Sequence, residues 1–160
     1  MTSRTLTLAR RLVLVAGLLV GPGLVVTAAP AQAYTPSAAT TAAFEARVIY
    51  QINVQRARYG RAKLAANWCP DWFAERWSPY LARTWTFSHQ SMSRILTGCH
   101  AARAGENLAR GYTTADRTVA AWMASPGHRA NVLDRGLTRI GVAAVYARGQ
   151  WIVTADFTRP

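Results

Sequence analysis

Residues 122–133 read Trp122-Met123-Ala124-Ser125-Pro126-Gly127-His128-Arg129-Ala130-Asn131-Val132-Leu133, and the pattern of the chain changes across them. Before this stretch, Val119, Trp122 and Met123 fall at three- and four-residue offsets behind Asp116, so Thr114–Ala124 reads as a helix with an acid near its positive end. After it, Ile140, Val142, Val145 and Tyr146 precede a turn at Arg148-Gly149-Gln150, and Trp151, Ile152, Val153 and Phe157 follow. β-Branched and aromatic residues on both sides of a glycine turn predict two strands joined as a hairpin. Between helix and hairpin, Gly127-His128 and Asn131 read as turn and cap elements, and Ser125 lies before a proline in that turn.

Working back toward the start, Phe44, Val48 and Ile52, with Ile49 on the flank, predict a helix from Phe44 to Tyr59 that Gly60 stops. A second helix starts near Pro70-Asp71, where proline suits the first turn and aspartate suits the dipole. It carries Trp72, Phe73, Trp77, Tyr80 and Leu81, and Pro79 is expected to kink or divide it. A loop from Thr84 to Ser91 leads to a short helical piece at Met92–Leu96, and Gly105-Glu106-Asn107 reads as the start of a turn. Residues 34–42 are small and polar and read as a flexible lead-in, which leaves one domain over 43–160. Helices first and an antiparallel hairpin last predict an α+β fold. Most of the six tryptophans fall at core-like positions; Trp85 and Phe87, on the way to His89, are the candidate cleft walls.

Residues 1–33 carry Arg4, Arg10 and Arg11, then an apolar run from Leu12 to Val26 broken by Gly21-Pro22-Gly23, then Ala31-Gln32-Ala33. That order predicts a secretory signal peptide cleaved after Ala33, and so an extracellular protein with no transmembrane segment in its mature chain. Lys and Arg number 19 against 7 Asp and Glu, a formal charge of +12. The arginines are scattered and no stretch packs them into a patch, so no specific nucleic-acid partner is expected, whereas an anionic cell-wall polymer stays open. Cys69 and Cys99 are the only cysteines, an even pair in a chain read as exported, and they predict one disulfide worth about 3 to 4 kcal/mol.

Glutamate and histidine are scarce, three of each, which draws attention to His89 in Phe87-Ser88-His89, Glu106 in Gly105-Glu106-Asn107, and His128. None of them stands four residues from another, so only tertiary folding can unite them. The series Ile52-Asn53-x-x-Arg56-x-x-x-Gly60, Phe87-Ser88-His89, Gly105-Glu106-Asn107-Leu108-Ala109, Trp122-x-x-Ser125-Pro126-Gly127-His128-Arg129-x-Asn131-Val132-Leu133 and Ile140-Gly141-Val142 resembles, in the same order, the bacterial branch of the CAP superfamily of cysteine-rich secretory, antigen 5 and pathogenesis-related proteins. The likeness runs from about Phe44 to Phe157.

This resemblance implies a three-layer α/β/α sandwich with a central antiparallel sheet and a cleft where two His and two Glu converge. His89, Glu106 and His128 match three of those four; animal and plant relatives have a glutamate where this chain has Ser125. Two imidazoles and one carboxylate suit a zinc ion, or another divalent metal, with water in the open position. No nucleophile can be assigned, so no catalytic residue is named. The reading is a secreted binding or interaction module with a metal-capable cleft, whose ligand is a lipid or sterol, an extracellular protein or a cell-wall polymer. The alternative is a metal-dependent extracellular hydrolase acting on peptide or cell-wall material.

Overall fold

Every residue from Trp151 to Thr158 is buried, which a strand achieves only when both of its faces are covered. That strand sits inside the sheet of a computed structural model that describes residues 34–160; the expected signal peptide lies outside the described residues. Residues Ala33–Pro160 form one compact unit. In chain order its elements are α1 (Ala38–Arg58), β1 (Ala65–Ala66), α2 (Trp68–Thr84), α3 (Met92–Gly98), β2 (Arg103–Arg110), α4 (Ala115–Ala124), α5 (Pro126–Leu133), β3 (Arg139–Ala147) and β4 (Gln150–Arg159). The sheet order is β1-β3-β4-β2, antiparallel except where the two-residue β1 runs parallel to β3.

Alternation along β3 and β4 assigns the layers. Ile140, Val142 and Ala144, with Val153, Ala155 and Phe157, join Phe44, Val48 and Ile52 of α1, Val119 and Trp122 of α4 and Val132 of α5 in the main core. The residues between them face α2. Gly141 lies so close to the backbone of Pro70 and Asp71 that a side chain there has no room. Ser78 Oγ donates to the Ala143 carbonyl at 2.9 Å, and Leu81 packs with Leu108 and Ile152. The result is an α/β/α sandwich on a mainly antiparallel sheet.

Several local expectations need correction. α1 begins at Ala38, because Ser37 Oγ accepts the Thr40 amide at 3.1 Å and caps it, so the helix takes up much of the stretch read as a lead-in. Pro79 does not divide α2; it is exposed, on a side where water can pair with the carbonyl that its ring leaves without a donor. Gly105-Glu106-Asn107 is the middle of a strand rather than a turn, and Pro126 begins a helix that includes Gly127 and His128. Trp68 and Trp72 are 76% and 44% exposed, so they are surface residues and not core.

The first motif is structural. Asn53 exchanges two hydrogen bonds with the backbone of Leu64, at 3.0 and 2.8 Å. The buried Arg56 guanidinium donates to the carbonyls of Ala62, Val132, Asp134 and Leu137 and so ties α1 to the loops around α5. Gly60 follows with φ +64°, the left-handed conformation that ends a helix at least cost with glycine. Side chains also close both outer edges of the sheet. Asp71 and Glu45 accept the Val142 and Ala144 amides of β3, while Asn131 and Trp122 donate to the Glu106 and Leu108 carbonyls of β2.

Candidate functional site

The candidate site lies on β2. The period of two along a strand sends Glu106 toward the α2 layer and Asn107 toward the α5 layer. Glu106 is paired across the sheet with Asp156 of β4, on the same face. The loop after α2 then folds over this acid pair, held by Trp77 Nε1 donating to the Ser88 carbonyl at 2.9 Å. His89 Nδ1 meets Glu106 Oε1 at 2.5 Å. Gln90 donates its amide to that same oxygen at 3.3 Å, and its Nε2 bridges Glu106 Oε2 at 2.8 Å and Asp156 Oδ2 at 2.9 Å.

This shell is asymmetric in solvation. The Glu106 side chain is 1% exposed and that of His89 is 59% exposed. Burial raises the Glu106 pKa, opposed by its bonds to Gln90 and His89. Asp156 is pushed well above the usual carboxylate range by burial and by the neighbouring charge of Glu106, and its Oδ1 is buried with no hydrogen-bond partner. His89 thus has its Nδ1 engaged by a buried carboxylate while most of its ring stays exposed.

On the other side of β2, Asn131 Nδ2 donates to the Glu106 carbonyl at 3.0 Å and to Asn107 Oδ1 at 2.9 Å, while Asn107 Nδ2 donates to the His128 carbonyl at 3.0 Å. Gly105 fits closely beneath this clasp, since an added Cβ would lie 3.0 Å from Asn131 Oδ1 and the Asn131 side chain would have to shift to admit it. α5 is thereby locked to the strand. The His128 ring is half-buried, and its pKa is lowered first by burial and then by the charge of His89.

Residues 49–157 match the family model for CAP, the cysteine-rich secretory protein family. The chain belongs to this family. It is 31% identical over 125 residues to the uncharacterized protein YkwD of Bacillus subtilis (strain 168), covering 73% of this chain and 48% of that one, so it spans about half the length of that relative. Among solved structures it is similar to an extracellular protein containing a SCP domain from Bacillus anthracis, with 26% identity, a TM-score of 0.65, and 80% of this chain and 45% of that chain covered. An outer surface protein of Borrelia burgdorferi shares the fold at 19% identity, with a TM-score of 0.69 over 79% of this chain and 97% of that chain.

Of the residues singled out from the CAP motifs, His89 and Glu106 are in direct contact, and His128 feels the charge of His89 without bonding to either. Ser125 sits at the junction of α4 and α5, where its carbonyl accepts the Arg129 amide at 2.8 Å and its side chain makes no capping bond. Cys69 and Cys99 form the expected disulfide, with Cα atoms 5.7 Å apart. Among the described residues no three His, Cys, Asp or Glu side chains gather as a metal site. Both Glu106 oxygens are already engaged, which casts it as the group behind His89. The Arg110 guanidinium lies 5.2 Å from the Trp85 ring and 5.0 Å from the Phe87 ring. Asp156 was missed from sequence; a lone acid in the otherwise buried run Val153-Thr154-Ala155-Asp156-Phe157 was the available signal.

Proposed function

We propose that this CAP chain is an exported binding module that presents two imidazoles at the edge of its sheet to a divalent cation, zinc in the first instance, and through it to a ligand. The observation that carries this reading is the His89–Glu106 pair. A buried carboxylate fixes the inner nitrogen of an exposed imidazole and leaves the outer one available, the arrangement by which outer groups orient metal-binding histidines. His128 supplies the second nitrogen; its lowered pKa keeps it neutral, as a ligand must be. Two protein ligands leave the remaining positions to water or to the bound partner.

Binding without turnover fits better than metal-dependent hydrolysis, because Ser125 stands where animal and plant relatives have glutamate and both Glu106 oxygens are bonded to His89 and Gln90, which leaves neither carboxylate to act as general base on a metal-bound water. Export is supported by the leader read in residues 1–33, by the disulfide, and by the similar Bacillus anthracis protein, which is described as extracellular. Among the described residues no helix is long and apolar enough to cross a membrane. The test is zinc titration of metal-stripped protein by calorimetry, beside His89→Ala, His128→Ala and Glu106→Gln. Saturable binding lost in both histidine variants and weakened about 10- to 100-fold in Glu106→Gln is expected. Absence of binding, or binding that ignores both histidines, removes the metal from the reading.

A further inference from the structure

The groove between α2 and α3 lies on the face of the sheet away from the main core. It is a cavity of about 460 Å³ lined by Trp72, Phe73, Arg76, Trp77, Gln90 and Arg94. Three features show that it is built rather than incidental. The disulfide joins the start of α2 to the residue after α3 and braces one end. The bonds of Trp77 to Ser88 and of Gln90 to Glu106 and Asp156 brace the other. Between them the Phe73 ring packs beneath α3 at Gly98, where an added Cβ would stand 2.7 Å from its Cζ, so the helices cannot close further on a larger residue.

The lining has a definite chemistry. Arg76 lies 3.8 Å over the Trp72 ring, a contact that orients its planar guanidinium. Neither Arg76 nor Arg94 makes an ion pair with an acid among the described residues. Trp72 is 44% exposed, a large aromatic surface left to solvent. Two unpaired guanidiniums beside an aromatic wall suit a ligand that has both anionic groups and apolar ring faces. Two guanidiniums line this half-open groove, where an acyl chain would displace their water without pairing them, whereas an acidic sugar chain pairs them while its rings lie on the aromatics.

We propose that this groove binds an acidic glycan, with sugar rings against the wall of Trp72, Phe73 and Trp77 and carboxylates on Arg76 and Arg94. Because the groove is pre-formed, little ordering opposes binding. The cations of the groove come from α2 and α3 and it needs no metal; Gln90 is the lining residue it shares with the shell behind His89.

Oligogalacturonate is the probe, followed by tryptophan fluorescence and calorimetry at low and high salt, with a neutral cello-oligosaccharide and a polyphosphate of matched charge alongside. Saturable, salt-sensitive binding with quenching is expected for oligogalacturonate, about tenfold weaker in Arg76→Ala and in Arg94→Ala, each step being 1.4 kcal/mol. Both arginines are exposed, and near-ultraviolet circular dichroism checks that the variants keep their packing. No binding, affinity unchanged in both variants, or equal affinity for the neutral sugar or for polyphosphate overturns the proposal. Arg94→Ala retains any zinc response of the His89/His128 pair, so the two readings fail separately.

Discussion

Replacing both cysteines, as Cys69→Ala/Cys99→Ala, removes a cross-link between residues 30 apart. In the chain-entropy model this loop length gives about 3.6 kcal/mol of stabilisation. A domain of this size has an unfolding entropy of about 0.27 kcal/mol per kelvin near its midpoint, so the melting temperature falls by about 13 °C. The loss is local first. α3 has seven residues, one buried side chain in Ile95 and no side-chain cap, so the cross-link, Ile95 and the Phe73 ring beneath Gly98 are its main ties to the sandwich. Amide exchange therefore speeds up in Met92–Gly98 well before it changes in β3 and β4. Calorimetric melts of oxidised protein and double variant, with exchange read by mass spectrometry, test this. A fall of under about 4 °C, or equal exchange loss across the sheet, would falsify the view that the bond works by restraining this segment.

Two further substitutions probe the sheet. Asp156 has a raised folded-state pKa, so its stabilising share is complete below the unfolded value of about 4 and is lost as pH rises through the folded value. Asp156→Asn, which copies the neutral form, should match the native protein near pH 3 and exceed it increasingly toward pH 7 in urea midpoints; a constant deficit at every pH refutes the neutral-acid reading. Gly141→Ala forces a methyl into the backbone of Pro70 and Asp71, which cannot rotate away, and should cost about 3 kcal/mol or more by chemical denaturation; a change below about 1 kcal/mol refutes the close approach of α2 to β3.

Much of this arrangement is legible in the sequence because its signals are periodic. Val119, Trp122 and Met123 predict α4, and the two apolar runs around Arg148-Gly149 predict the β3–β4 hairpin, with both outcomes observed. β2 escaped because its working residues are glycine, asparagine and glutamate, which read locally as a turn. Their strand conformation is enforced by β4 on one edge and by Asn131 and Trp122 on the other, contacts distant in sequence. His89 and Glu106 were legible through the family motif, but their bond was not. Gln90 and Asp156 carry no motif signal and are visible only once strand pairing puts two acids side by side.

That pairing explains why Gly105-Glu106-Asn107 stands as a unit. A strand alternates faces, so three consecutive residues in the edge strand of a three-layer sandwich address both outer layers at once. Glu106 anchors the loop after α2 through His89 and Gln90, and Asn107 anchors α5 through Asn131 and the carbonyl of His128. Gly105 leaves the room that Asn131 needs. The loop that carries His89 and the helix that carries His128 come from opposite layers and are both tied to one strand, through Glu106 and Asn107. A register slip of one residue in β2 would exchange Glu106 with Asn107 between layers and disconnect both histidines together. The site and the edge of the fold are therefore the same piece of structure, and a substitution that loosens β2 removes the site before it unfolds the domain.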